Sequence, residues 1–102
     1  MTAYLKPRRV LIVSYQLKGS PSSYAQFYEN LKSQGAWAHY LASTWLVSTQ
    51  KSPEEVFAAI RGNLQSGDFV FVGTLQDGYN GWLPKAAWEW IKAQGLGPSP
   101  KL

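Results

Sequence analysis

Residues 8–17 contain a short apolar run, Val-Leu-Ile-Val at positions 10–13, that is followed at once by polar side chains. A continuous β-branched run of this length is typical of a buried strand, and the Lys-Gly-Ser-Pro sequence at 18–21 cannot continue it. In small domains that combine strands and helices, polar side chains at the end of a central strand are where ligands and chemistry usually lie. The first candidate catalytic residues are therefore Ser14, Tyr15 and Gln16.

Two helices are predicted between apolar strands. In the first, Tyr24, Phe27, Tyr28 and Leu31 have the spacing of one helix face, with Ser22 or Ser23 as the N-cap and a glycine at 35 as the stop. The second begins at the Ser-Pro-Glu-Glu sequence of residues 52–55, where serine caps the helix and glutamates lie near the positive end of its dipole. Its predicted buried side chains are Phe57, Ile60 and Leu64.

The remaining segments complete the order of elements. Residues 36–49 are rich in aromatic and branched side chains, which predicts two strands joined by a tight turn near Ala42 and Ser43. Residues 69–75 form another short apolar run and predict a fourth strand. A last helix begins at Leu83 and Pro84, with Leu83, Ala87 and Ile91 along one side.

This order predicts an α+β domain over residues 8–92, with the ferredoxin-like βαββαβ arrangement. Two helices would cover one face of an antiparallel sheet, and a C-terminal helix would follow. The strands are apolar at both their odd-numbered and their even-numbered positions, so neither face of the sheet is expected to lie open to solvent. We expect the other face to be covered by a second copy or by the terminal helix, and we prefer a homodimer. Residues 1–7 and 95–102 are expected to be flexible termini.

Composition narrows the classes of function. The 102 residues carry a formal charge of +4, which favours a polyanionic partner and equally serves solubility. Without cysteine there is neither a disulfide nor thiolate chemistry, and no apolar run predicts a signal peptide or a membrane span, so a cytoplasmic protein is expected. The candidate phosphate-contacting residues are Arg8, Arg9, Lys18 and Lys85.

Aromatic residues make up 15% of the chain and could stack on unpaired bases or form an interface. We expect Trp37, Trp45, Phe69 and Phe71 to be buried. The predicted intermolecular contacts are Tyr79, Trp82, Trp88 and Trp90. His39 is the only histidine, so one chain cannot form a paired imidazole site; it is either a general base or a strand residue satisfied by hydrogen bonds.

Three segments carry a resemblance to a known family. They are Ile-Val-Ser-Tyr-Gln-Leu at 12–17, Trp-Ala-His-Tyr-Leu-Ala-Ser-Thr-Trp-Leu-Val at 37–47 and Gly-Trp-Leu-Pro-Lys-Ala-Ala-Trp-Glu-Trp-Ile at 81–91. Together they resemble small bacterial proteins described as SinR-like. That group is similar to the superfamily of the CRISPR-associated adaptation protein Cas-two and the VapD toxins.

The wider resemblance implies a ferredoxin-like homodimer, in which some members are metal-dependent nucleases and others are structural DNA-binding subunits. In the nuclease members an aspartate follows the tyrosine at the end of the first strand, where this chain has Gln16. A neutral amide supplies no charge to offset the dehydration of Mg²⁺. We therefore expect a non-catalytic dimeric module that binds nucleic acid or a protein and needs no cofactor or metal; the alternative is a Mg²⁺-dependent endonuclease acting on DNA or RNA.

Overall fold

A computed structural model describes residues 8–95 of the protein. Its four strands are β1 (Arg9–Gln16), β2 (Ala36–Leu41), β3 (Thr44–Thr49) and β4 (Phe69–Leu75). Its three α-helices are α1 (Ala25–Lys32), α2 (Pro53–Ile60) and α3 (Lys85–Ala93). Short 3-10 turns at Pro21–Tyr24 and Arg61–Asn63 precede α1 and follow α2. Apart from Gly95, the expected flexible termini lie outside the described residues.

The four strands form one antiparallel sheet in the order β2-β3-β1-β4. In the centre of the sheet, Val13 of β1 lies opposite Trp45 of β3 and Val72 of β4. The tight turn predicted at Ala42 and Ser43 connects β2 to β3. The predicted α+β class with an antiparallel sheet is confirmed, and the strand order is compatible with a ferredoxin-like fold.

Helix α2 begins as its sequence predicts. The Ser52 hydroxyl accepts a hydrogen bond from the Glu55 backbone N–H at 3.1 Å, and the Ser52 N–H donates to the Glu55 carboxylate at 2.9 Å. This reciprocal capping box satisfies two N–H groups that a helix start otherwise leaves unpaired. Val56 and Ile60 of this helix are buried, whereas Phe57 lies at the surface with the Arg61 guanidinium over its ring. The prediction that Phe57 is a core residue is wrong.

The start of α1 differs from its prediction. Neither Ser22 nor Ser23 caps the helix; their hydroxyls bond to the Ser20 hydroxyl, while Pro21–Tyr24 forms a 3-10 turn. Tyr24 takes the N-cap position without a side-chain cap bond. The reason is tertiary, because the Tyr24 ring is buried in the core and draws the chain inward before the helix begins.

Alternation along β1 divides the sheet into two faces. The face that we call the helix-pair face carries the odd-numbered residues of β1, and Leu11 and Val13 pack there in one buried cluster with Phe27 of α1 and Ile60 of α2. The opposite face, which we call the α3 face, carries the even-numbered residues of β1, such as Ile12, and the residues that pair with them on β3 and β4. Part of it is covered by α3, as expected if the terminal helix packs on the sheet.

The α3 face is not covered along its whole width. Phe69 and Phe71 lie on this face at the β4 edge and are 68% and 70% exposed, so the prediction that they are buried is wrong. Trp37, on the β2 edge, is also exposed, whereas Trp45 is buried as predicted. Both errors concern edge strands, where a side chain of core type has no neighbour on one side.

Candidate functional site

The end of β1 presents two of its three candidate residues to the α3 face. Ser14 lies opposite Phe71 and Gln16 lies opposite Phe69, and these residues line a shallow depression at this edge, to which Tyr15 between them also contributes. The Ser14 hydroxyl is hydrogen-bonded to the Thr44 hydroxyl at 3.1 Å. Gln16 is exposed. This corner offers an amide and a hydroxyl beside two exposed aromatic rings, which suits binding better than bond cleavage.

Tyr15 points to the helix-pair face. Its hydroxyl accepts a hydrogen bond from the Trp45 indole N–H at 2.8 Å, and its ring meets Phe27 edge to face at 5.3 Å. Burial is the main cause that raises the pKa of Tyr15, and this outweighs the opposite effect of the Trp45 bond. The hydroxyl therefore stays protonated at neutral pH and serves as a structural acceptor.

His39 lies on β2 with its ring stacked on Trp45 at 4.3 Å. Its Nε2 lies 3.0 Å from the Ala42 carbonyl oxygen, and because a carbonyl only accepts, Nε2 carries the proton. His39 and Tyr15 thus meet through Trp45 on the helix-pair face, away from Ser14 and Gln16. The four predicted catalytic residues form two separate pairs.

The carboxylate nearest to the loop after β1 is occupied by structural bonds. Asp68 accepts hydrogen bonds from the Lys18 N–H, the Gln65 N–H and the Tyr24 hydroxyl at 2.7–2.8 Å. Burial acts to raise the pKa of Asp68, but these donors outweigh it and hold the pKa below 3.8. Among residues 8–95, no group of three side chains is arranged to hold a metal ion.

The predicted phosphate-contacting residues are spread over the molecule. Arg8 and Arg9 lie at the start of β1, and Lys18 follows its end, which places them about 30 Å apart along an extended strand. Arg8 donates to the Ser48 carbonyl at 2.9 Å, and Lys85 opens α3. These four side chains do not form one patch.

A different basic residue accompanies exposed aromatic rings. The Lys32 ammonium lies 5.3 Å from the centre of the Trp37 ring, and Trp37 packs on Trp45 at 5.1 Å beside His39. We call Lys32, Trp37 and His39 the aromatic edge. Sequence reasoning missed it because Trp37 was expected in the core, although the exposed helix position of Lys32 five residues earlier is a usable signal.

The four C-terminal aromatic residues differ in how far they are exposed to solvent. Trp82 is 94% exposed, which is suitable for intermolecular contact, whereas Trp88 is only 9% exposed. Tyr79 stacks on Trp88 at 6.4 Å, and Trp90 is half-buried. The sequence predicts Trp88 as an intermolecular contact, but in the structure it is buried together with Ala87 and Ile91.

A cavity of about 230 Å³ lies between α3 and the sheet. Its walls come from all four strands, from the loop before α3 and from α3 itself, and are mostly apolar. We call it the α3 cavity. The sequence did not predict it, because a cavity depends on how completely two elements pack and not on their periodicity.

These features define a class: a small α+β protein whose antiparallel sheet packs against two helices on one face, has a cavity and two exposed phenylalanines on the other, and has an exposed tryptophan at its β2 edge. No family model, curated protein or solved structure matches the chain. Among the helices in residues 8–95, none has the length and apolar character needed to cross a membrane.

Proposed function

We propose that the protein is a non-catalytic binding module with a ferredoxin-like fold, that it works as a homodimer, and that it binds single-stranded nucleic acid. The order β2-β3-β1-β4, antiparallel throughout, supports the ferredoxin-like part of the proposal. The homodimer and its nucleic-acid ligand are supported by two different surfaces.

The exposed pair Phe69 and Phe71 carries the proposal of a dimer. On the same strand, Val70 and Val72 pack against the core, so β4 is apolar on both sides, as in strands that are covered on both faces. Two phenylalanines that are about 70% exposed on one face of an edge strand form a patch suited to burial between protein surfaces. A second copy presents the same patch, which a twofold axis can bring together.

The aromatic edge supports the nucleic-acid ligand. Trp37 offers a ring that is 42% exposed, and the Lys32 ammonium, which is also ion-paired with Glu29 at 3.4 Å, lies 5.3 Å from the centre of that ring. Stacking on an aromatic ring beside a cation is the usual way in which proteins hold unpaired bases. The formal charge of +4 favours the approach of a polyanion.

Light scattering tests the dimer with the double substitution Phe69→Ser and Phe71→Ser. Loss of two buried phenylalanine contacts should raise the dimer dissociation constant about a hundredfold or more. Trp37→Ser is the matched control, since it removes an exposed aromatic residue at the opposite edge of the sheet. A wild-type protein that is monomeric at all concentrations would refute the dimer.

Fluorescence anisotropy with labelled single-stranded DNA and RNA tests the ligand. Trp37→Ser should weaken binding about tenfold, the effect of one lost stacking contact. Charge reversal at Arg8 and Arg9 should weaken binding and reduce its salt dependence if these residues also contact phosphate. Cleavage that requires Mg²⁺ or Mn²⁺ and is lost in Gln16→Ala would overturn the non-catalytic assignment in favour of the endonuclease.

A further inference from the structure

We propose that Arg8 and Lys51 hold the phosphate groups of the single-stranded ligand at one end of the sheet, beside the Trp37 ring of the aromatic edge. This inference rests on the proposed nucleic-acid ligand and adds where the phosphates of that ligand lie. It depends on the position of the two cations, on the neutral atoms that orient them and on the exposed ring next to them.

Several elements begin or end at this end of the sheet. β1 begins and β3 ends there, since Arg9 is paired with Thr49, and β2 also begins there. Arg8 directly precedes β1, and Lys51 lies two residues after the end of β3. Two cations that are distant in sequence are thereby brought to the same end of the fold.

Two neutral oxygen atoms hold Arg8 and Lys51 near each other. The Arg8 guanidinium donates to the Ser48 carbonyl at 2.9 Å, and that carbonyl lies against Gly35, where a Cβ would overlap it. The residue before this glycine is Gln34, whose side-chain oxygen accepts a hydrogen bond from the Lys51 ammonium at 2.7 Å. A continuous series of contacts therefore links the guanidinium to the ammonium.

Gln34 fixes the position of the ammonium. It is a polar residue that is only 8% exposed, and its amide nitrogen donates to the Asn30 carbonyl at 2.9 Å and to the Ser33 hydroxyl at 3.2 Å. Because the nitrogen is bound on the α1 side, the amide oxygen is the atom that faces Lys51. The lysine is thus held by a buried side chain, as in a site whose supporting residues orient the binding group.

The partners of both cations orient the positive charges without cancelling them. A carbonyl oxygen binds Arg8 and an amide oxygen binds Lys51, and neither acceptor carries a formal charge. A guanidinium and an ammonium each have more than one N–H donor, so both retain donors for a phosphate oxygen. Arg8 is exposed and Lys51 is half-buried, so a ligand can reach them from solvent.

The carboxylates of the adjoining helices have contacts of their own. Glu29 of α1 is ion-paired with Lys32 at 3.4 Å. At the start of α2, Glu55 accepts the Ser52 N–H in the capping box, and Glu54 lines a depression between α2 and β4. These contacts leave Arg8 and Lys51 open to an anionic group from outside the chain.

The Trp37 ring lies next to this pair of cations. Trp37 follows Gly35 by two residues, and Gly35 touches the carbonyl that Arg8 binds. Proteins usually hold single strands by stacking a base on an aromatic ring and by placing cations along the phosphates. A strand whose base stacks on Trp37 therefore has a neighbouring phosphate within reach of Arg8 and Lys51.

The salt dependence of binding tests the inference, measured by fluorescence anisotropy with a labelled oligothymidylate. Each phosphate contact to a single strand contributes about 0.7 to the slope of log K against log salt, so Arg8→Gln with Lys51→Gln should reduce the slope by about 1.4. The matched control is Lys18→Gln with Arg61→Gln. It removes the same charge beyond the other ends of β1 and α2, and should leave the slope unchanged.

Two further measurements separate loss of charge from loss of structure. The charge-conserving pair Arg8→Lys with Lys51→Arg should keep the slope of the unaltered protein. In ¹H–¹⁵N spectra of the unaltered protein, the oligothymidylate should shift the backbone amide resonances of Gln34 and Lys51 more than that of Lys18.

Three outcomes would overturn the inference while nucleic-acid binding itself would stand. They are equal losses of slope in the two glutamine pairs, a loss of slope in the charge-conserving pair, and amide shifts that avoid Gln34 and Lys51. If the unaltered protein does not bind the oligothymidylate at any salt concentration, the proposed ligand fails together with the inference.

Discussion

The two faces of the sheet are built from the same strands but are completed to different degrees. On the helix-pair face, Leu11, Val13 and Val47 are fully buried beneath two helices. On the α3 face, a single helix leaves a 230 Å³ cavity on one side, and Phe69 and Phe71 remain exposed on the other. The helix-pair face is covered by two helices, whereas the α3 face buries Val10 and Ile91 but leaves part of its apolar surface uncovered in one chain.

The contrast is sharpest within β4. Val70 and Val72 belong to the core, while their neighbours Phe69 and Phe71 point to the other face and are exposed. Strand propensity and hydrophobicity are similar at the four positions, so the difference comes from what lies opposite each face. Surface that is apolar but uncovered is where a binding partner gains most by burial.

A pair of phenylalanine truncations tests this comparison with the largest expected effect. Phe27→Ala removes a fully buried ring from the helix-pair face and should lower the free energy of unfolding by about 3–5 kcal/mol. Phe71→Ala should change the stability of the monomer by no more than about 0.5 kcal/mol, because its ring is mostly exposed. Urea unfolding at low protein concentration measures both. Similar losses in the two variants would mean that the faces do not differ as described.

Much of the fold is predictable because it depends on sequence patterns that extend over only a few residues. The capping box at Ser52 and Glu55 involves residues three apart, and the turn at Ala42 and Ser43 separates two segments of strong strand propensity. Such signals act over a few residues and need no knowledge of the partner element. The start of α1 was missed because burial of Tyr24 depends on distant Asp68, to which it donates a hydrogen bond.

The candidate site was harder to predict. Ser14, Tyr15 and Gln16 lie together at the end of β1 as predicted, but alternation sends the Tyr15 ring to the opposite face, where it packs on Phe27. The exposure of Phe69 was missed because a hydrophobic run does not indicate whether its strand lies at an edge. The unpaired indole of Trp88 arises from packing between α3 and the sheet, which periodicity alone does not specify.

Gly35, just before β2, and Gly62, just after α2, differ in the space around them. A Cβ on Gly35 would overlap the Ser48 carbonyl oxygen, so this glycine allows close approach to β3 and is not the helix cap, a position taken by Ser33. Gly35→Ala should cost about 2–3 kcal/mol of unfolding free energy. Gly62 has open space around it, so Gly62→Ala should be neutral or stabilising by up to about 1 kcal/mol. Thermal and urea unfolding compare them, and equal effects would contradict the close approach.

Two serines test the polar groups of the α3 face. The Ser48 hydroxyl is buried without a partner among the described residues, whereas the Ser14 hydroxyl bonds to Thr44. Ser48→Ala should raise the free energy of unfolding by about 1 kcal/mol, since it removes an unsatisfied group. Ser14→Ala should lower it by about 0.5–1 kcal/mol. If both variants lose stability, Ser48 has a bonding partner in solution.

The pH dependence of stability tests the hydrogen bonds by which the Asp68 carboxylate holds the loop after β1. Because folding lowers the pKa of Asp68, its contribution to stability is fully present well above the unfolded-state pKa and is lost as pH falls through the lower folded-state pKa. Asp68→Asn should therefore flatten the acid side of the stability profile measured by urea unfolding. Tyr24→Phe removes one of the three donors and should flatten it only partly. An unchanged profile in Asp68→Asn would show that the carboxylate gains nothing from these donors; a full effect in Tyr24→Phe would mean that the hydroxyl alone, and not the two backbone N–H groups, lowers the pKa.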